Sequence, residues 1–107
     1  MKSFHSIKGS ITAPQGFLAA GMYCGVFQRG KTSKAGQKRD LAVIVSEVPA
    51  KAAGMFTTNQ ICAAPVKVCV EHIAKGNTQA IVVNSGNANA CTGPRGLKDA
   101  REMATLL

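Results

Sequence analysis

Between Gln79 and Leu107 the sequence changes its period, and that change leaves few choices of fold. Gln79-Ala80-Ile81-Val82-Val83-Asn84 is a short apolar run rich in β-branched residues, the pattern of a strand. A turn of small and amide residues follows, Asn84-Ser85-Gly86-Asn87-Ala88-Asn89-Ala90. From Gly93 to Leu107 the apolar positions Leu97, Ala100, Ala104 and Leu107 recur on one helical stripe. Thr92 stands where a helix N-cap belongs, and Pro94 falls in the first turn, where a missing N–H costs nothing. Strand, turn and helix in that order imply an α/β fold.

The rest of the chain supplies more strands by the same tests. Asp40-Leu41-Ala42-Val43-Ile44-Val45-Ser46 predicts a strand over 41–46, with Pro49 ending it. Ala53 to Thr57 predicts a second short strand. Val66-Lys67-Val68-Cys69-Val70 alternates with period two and predicts a third, with His72 near its end. Leu18 to Phe27, with Gly21 and Gly25, predicts a strand with a bulge. Residues 1–10 are polar and read as a flexible N-terminus; residues 11–107 read as one unit. The expected architecture is a mixed sheet with packed helices. The helical stripe still runs at Leu107, with no Gly, Asn or Pro stop, so the chain is expected to be the first part of a longer protein.

Charge and cysteine usage exclude several function classes. The net charge is +8, and six of the thirteen positive charges fall between Arg29 and Lys51. The tightest cluster, Arg29, Lys31, Lys34, Lys38 and Arg39, lies among Gly, Ser and Thr and reads as a solvated loop over 30–38. A nucleic-acid site interleaves aromatics with its cations, and only Phe27 lies nearby. A basic RNA-binding module is the competing reading, with this loop as its single support. Cys24, Cys62, Cys69 and Cys91 are spaced by 38, 7 and 22 residues, so no CxxC pair points to zinc. Their apolar flanks predict free, buried thiols in a reducing compartment. No apolar run has signal-peptide or membrane-spanning length, and the chain is expected to be soluble and cytoplasmic, with no membrane partner.

No self-contained active site can be written from these residues. There is no Gly-x-Ser-x-Gly elbow, phosphate-binding loop or pair of placed carboxylates. His5 and His72 have no evident catalytic partners. The one site candidate is the turn-to-helix junction. A helix start presents unpaired N–H groups and the positive end of the helix dipole, and glycine lets a ligand approach. Thr92 and Gly93 sit at that point, where backbone donors suit a carboxylate, a phosphate or a developing oxyanion. A plain capped turn is the alternative reading.

Five stretches, taken in order, carry a resemblance. They are Pro14-Gln15-Gly16-Phe17, Asp40-Leu41-Ala42, Ala53 to Asn59, Ala63-Ala64-Pro65-Val66 and Asn84 to Gly93. Together they resemble the start of the ornithine acetyltransferase (glutamate N-acetyltransferase) family of arginine biosynthesis, over roughly Ile11 to Leu107. The resemblance implies an incomplete part of a fold whose precursor cleaves itself before a threonine. That threonine becomes the N-terminal nucleophile of a second chain, giving a hetero-oligomer of alpha and beta chains. It takes acetyl from N-acetylornithine and passes it to glutamate. No cofactor is implied; acetyl-CoA is a co-substrate in some members. The family's oxyanion hole corresponds to Thr92 and Gly93. Its nucleophile and most of its glutamate-binding residues lie downstream of Leu107, so none is expected in this chain, and the isolated chain is expected to be inactive. Thr105, on the predicted helix, is not that nucleophile.

Overall fold

A computed structural model describes residues 4–26 and 39–107. A single 3-10 turn, Ser10–Thr12, precedes β1 (Phe17–Met22), β2 (Leu41–Lys51), α1 (Ala64–Ala74), β3 (Asn77–Asn84) and α2 (Gly93–Thr105). The fold is α/β, as the change of period predicts. The three strands form one antiparallel sheet in the order β1-β2-β3.

The register follows from the apolar runs. Leu18 faces Val45 and Ala20 faces Val43, while Val45 and Val43 face Ala80 and Val82. Directly paired residues share a face, so these positions make one apolar surface. The other face carries Ile44, Ile81 and Val83. Both faces are therefore apolar.

Pro49 does not end β2. The strand continues to Lys51, with a register shift between Val45 and Ala50. Pro49 lies inside that irregularity, where its missing N–H removes no ladder bond. The bulge expected in the first strand is absent from β1, which pairs without interruption from Phe17 to Met22. Phe27 and the basic residues Arg29, Lys31, Lys34 and Lys38 lie outside the described residues.

The expected strand over 66–70 is part of a helix instead. Ala64 and Val68, four apart, are the buried positions of α1, while Val70 is exposed. Pro65 is fitted to the first turn by its fixed φ, and Val is only mildly unfavourable in a helix. A partner decides the outcome: Ala64 and Val68 pack with Ala100 of α2, joined by half-buried Leu97. Burial against a second helix outweighs a short alternating pattern. His72 accordingly sits in the last turn of α1, not at a strand end.

The expected strand over 53–57 carries no regular structure. A Cβ at Gly54 would lie 2.9 Å from the Phe56 ring and 3.1 Å from Ile73 of α1, so Phe56 folds back over its own glycine. Alternation of side chains across a strand is lost there.

The cysteines are free, but they are not buried. Cys24, Cys69 and Cys91 are exposed and Cys62 is half-buried. Cys69 follows the inward Val68 by one helical position and so turns outward. Among the described residues, no helix is long and apolar enough to cross a membrane.

Candidate functional site

The junction of β3 and α2 is built around unusual backbone. Asn89, Cys91 and Gly93 all have positive φ, at 46°, 58° and 63°, with Thr92 between the last two at −96°. Alternating hands of this kind turn successive N–H groups toward one side, as in an anion-binding nest. Asn tolerates the left-handed region through its short polar side chain, and Gly without strain. Cys has neither excuse; such a residue costs on the order of 1 kcal/mol and persists only where its surroundings hold it.

Polar side chains supply that hold. Asn84 Nδ2 donates to the Asn87 carbonyl at 3.3 Å, and the Asn89 N–H donates to Asn87 Oδ1 at 3.2 Å. Asn89 Nδ2 donates to the Gly96 carbonyl at 2.9 Å, in the first turns of α2. The Ala64 N–H, at the start of α1, donates to the Asn89 carbonyl at 3.2 Å. Asn89 thus ties the turn to the starts of both helices.

Thr92 occupies the N-cap position, but its hydroxyl makes no capping bond to α2. It donates instead to Asn89 Oδ1 at 2.6 Å. The expected cap is therefore corrected: backbone at −96°, 3° is not the extended conformation that aims a capping oxygen at the helix N–H groups. One result is that helix donors stay free. Among the described residues no acceptor is paired with the N–H of Cys91, Thr92 or Gly93.

Gly96 closes the site from below. A Cβ there would fall on the Thr92 hydroxyl and the Asn89 carboxamide, so only glycine lets α2 approach the turn this closely. At Gly93 the opposite holds: a Cβ would meet nothing, and its positive φ is what calls for glycine. Asn87, Asn89, Thr92, Arg95, Gly96 and Asp99 line an open cleft of about 290 Å³ at this point. Arg95 and Asp99, one helical turn apart, approach to 3.8 Å.

A second polar centre sits at the near end of the sheet. Asp40 is buried, and its N–H donates to the Met22 carbonyl at 3.0 Å. Its carboxylate accepts the Cys24 N–H at 2.6 Å, and its carbonyl accepts the Ser85 N–H at 2.8 Å. Hydrogen bonding to Asp40, with a smaller contribution from desolvation, raises the Cys24 thiol above its ordinary pKa, which disfavours a nucleophilic thiolate.

Thr92 and Gly93 stand at the start of α2, the position the sequence predicts for them. Asn89 and Gly96 are junction residues that the sequence does not single out. Asn84, Asn87 and Asn89 look like plain turn formers in the sequence, and their spacing is the available signal. Thr105 lies in the last turn of α2, where its hydroxyl donates to the Arg101 carbonyl at 2.9 Å. His72 lies in the last turn of α1, at the opposite end of that helix from Ala64, which meets the junction. Among the described residues no group of His, Cys, Asp and Glu could hold a metal ion.

Comparison with known proteins bears on the family and the fold. The model of the ArgJ family matches residues 20–107. The arginine biosynthesis bifunctional protein ArgJ of Shouchella clausii is 50% identical over 107 residues, covering 98% of this chain and 24% of that protein. Its counterpart from Bacillus cereus is 52% identical over 99 residues, covering 92% and 22%. The crystal structure of the Bacillus halodurans protein superposes with a TM-score of 0.80 at 47% identity, covering 92% of this chain and 48% of that one. Ornithine acetyltransferase from Mycobacterium tuberculosis, solved with ornithine, gives 0.75 at 44% identity, covering 88% and 46%. The chain spans about a quarter of the length of the curated relatives it matches. With a family model matched over most of its length and half of its residues shared with those relatives, the chain belongs to the ArgJ family.

Proposed function

We propose that this chain forms the oxyanion-binding part of an enzyme that moves an acetyl group from N-acetylornithine to glutamate in arginine biosynthesis. The observation that carries the reading is the left-handed turn ending at Gly93. Among the described residues it leaves the N–H groups of Cys91, Thr92 and Gly93 without acceptors, at the positive end of α2. Relatives named for arginine biosynthesis, one of them solved with ornithine, support the substrate class.

In this scheme a threonine supplied by a second chain attacks the acetyl carbonyl of N-acetylornithine, and its own α-amine takes the hydroxyl proton. The carbonyl π electrons move to oxygen, and donors at Thr92 and Gly93 bind the resulting O⁻. Collapse of the tetrahedral species breaks the C–N bond. Ornithine leaves with the proton, and acetyl-threonine remains. The amine of glutamate then attacks the ester through the same hole. The threonine oxygen departs with the proton that the α-amine takes from the attacking glutamate amine, and N-acetylglutamate is released. Acetyl-CoA offers the same carbonyl and is a second donor under this scheme. The partner is a beta chain in a hetero-oligomer, and the site of action is the cytoplasm. The isolated chain, without that threonine, transfers no acetyl group.

Gly93→Val in the complete enzyme tests the assignment. A β-branched residue is badly strained at φ 63°, so the turn must open. Acetyl transfer is expected to lose about 2 kcal/mol or more of transition-state stabilisation, roughly 30-fold in kcat. Near-normal kcat would remove the oxyanion role.

A further inference from the structure

The hydrogen bonds of Asn89 fix which way its carboxamide faces. The Gly96 carbonyl can only accept, so the NH₂ group must point to it, at 2.9 Å. Oδ1 is then left facing Thr92, and the hydroxyl must be the donor of their 2.6 Å bond. A hydroxyl has one proton. In this arrangement the Thr92 proton is already engaged.

We infer that Asn89 is the positioning residue for Thr92. It holds the Thr92 hydroxyl proton on Oδ1 while the site is empty or holds a neutral carbonyl, and yields it when negative charge develops. This rests on the oxyanion reading above. A neutral amide oxygen on the substrate is no better an acceptor than the carboxamide already in place. An oxyanion is, because hydrogen bonds to ionised acceptors are roughly twice as strong as neutral ones. The exchange therefore favours the transition state over the bound substrate, which is the condition for raising kcat and not merely tightening binding. Gly96 belongs to the same device: with no Cβ beneath it, the hydroxyl has room to sit against Asn89.

The test is a double-mutant cycle in the complete enzyme, with N-acetylornithine and glutamate as substrates. Asn89→Gly removes the carboxamide and keeps the left-handed backbone without strain; Thr92→Val removes the hydroxyl and keeps the bulk. Each alone is expected to lower kcat on the order of 10-fold or more, and Asn89→Gly is expected not to raise KM for N-acetylornithine. In the Thr92→Val background, adding Asn89→Gly should cost no more than about twofold, because residues acting through one group are not additive. Losses that multiply, or an Asn89→Gly defect carried by KM, would overturn the inference while leaving the oxyanion reading intact. Wild-type kcat in Thr92→Val would overturn the inference and leave the oxyanion reading to the backbone N–H groups, which Gly93→Val tests. If Asn89→Gly fails to fold, Asn89→Asp takes its place in the cycle. It keeps an acceptor for Thr92, loses the donor to Gly96, and is read by the same coupling.

Discussion

The sheet and the helix pair are held by different means. The sheet has the larger apolar residues and the long antiparallel ladders, yet no apolar side chain in it is fully buried: Leu18 is 57% exposed, Ile81 53% and Val83 50%. The helix pair has small residues, but it contains the buried apolar cluster of Ala64, Val68 and Ala100. The two meet chiefly through α1 and β3. The candidate site sits on the side that has a core, and polar bonds from Asn89 brace it. Hydrophobicity of a segment therefore does not say where a structure is tight. Close packing and satisfied polar groups do.

Gly96→Ala is the severest way to break this contrast. In an ordinary helix that change gains about 1 kcal/mol. Here the new methyl group collides with Thr92 and Asn89, and a net loss of roughly 1–3 kcal/mol is expected instead. Thermal denaturation of the variant would measure it, and a raised Tm would mean that the turn and α2 are not closely packed in solution.

Val68→Ala comes next. It removes two methyl-sized groups from a position only 4% exposed, for about 1.5–2 kcal/mol with the residual cavity included. Urea denaturation gives the number. A loss under about 0.5 kcal/mol would show that α1 and α2 do not share a core.

Arg101→Ala probes the edge of the same unit. The Arg101 Nη2 reaches both Glu71 oxygens, at 2.9 and 3.0 Å, linking α2 to α1 across a half-exposed surface. Up to about 1 kcal/mol is expected, shrinking as salt is added. A cost that ignores ionic strength would point to lost packing by the Arg stem.

The smallest effect is expected on the sheet. Ile81→Thr in the 107-residue chain should change stability by under about 0.5 kcal/mol, since the side chain is half exposed. The exposed apolar face should also bind a hydrophobic dye and promote self-association. A dye-negative monomer that melts cooperatively, or an Ile81→Thr loss of 2 kcal/mol, would mean that the sheet is covered after all.

Legibility in the sequence followed the same division. The strands at 41–46 and 79–84 and the helix from Gly93 were readable because an apolar run or stripe of that length has few other uses. Val66 to Val70 misled because a five-residue alternation does not distinguish a strand from a helix whose inner positions are Ala64 and Val68. The strand expected at 53–57 was lost to a ring folding over Gly54. The apolar flanks of Cys69 and Cys91 suggested burial, but their final surroundings are a helix exterior and an exposed turn.

At the junction, Thr92 and Gly93 could be located from sequence, because a small-residue turn before an amphipathic stripe puts open N–H groups at its start whatever else the chain does. Local chemistry determines that much. The orientation of Thr92, the partners of Asn89 and the need for glycine at 96 were decided by tertiary structure. Each depends on how closely α2 approaches the turn and where α1 begins, and those distances are set by packing between segments that the linear order does not bring together.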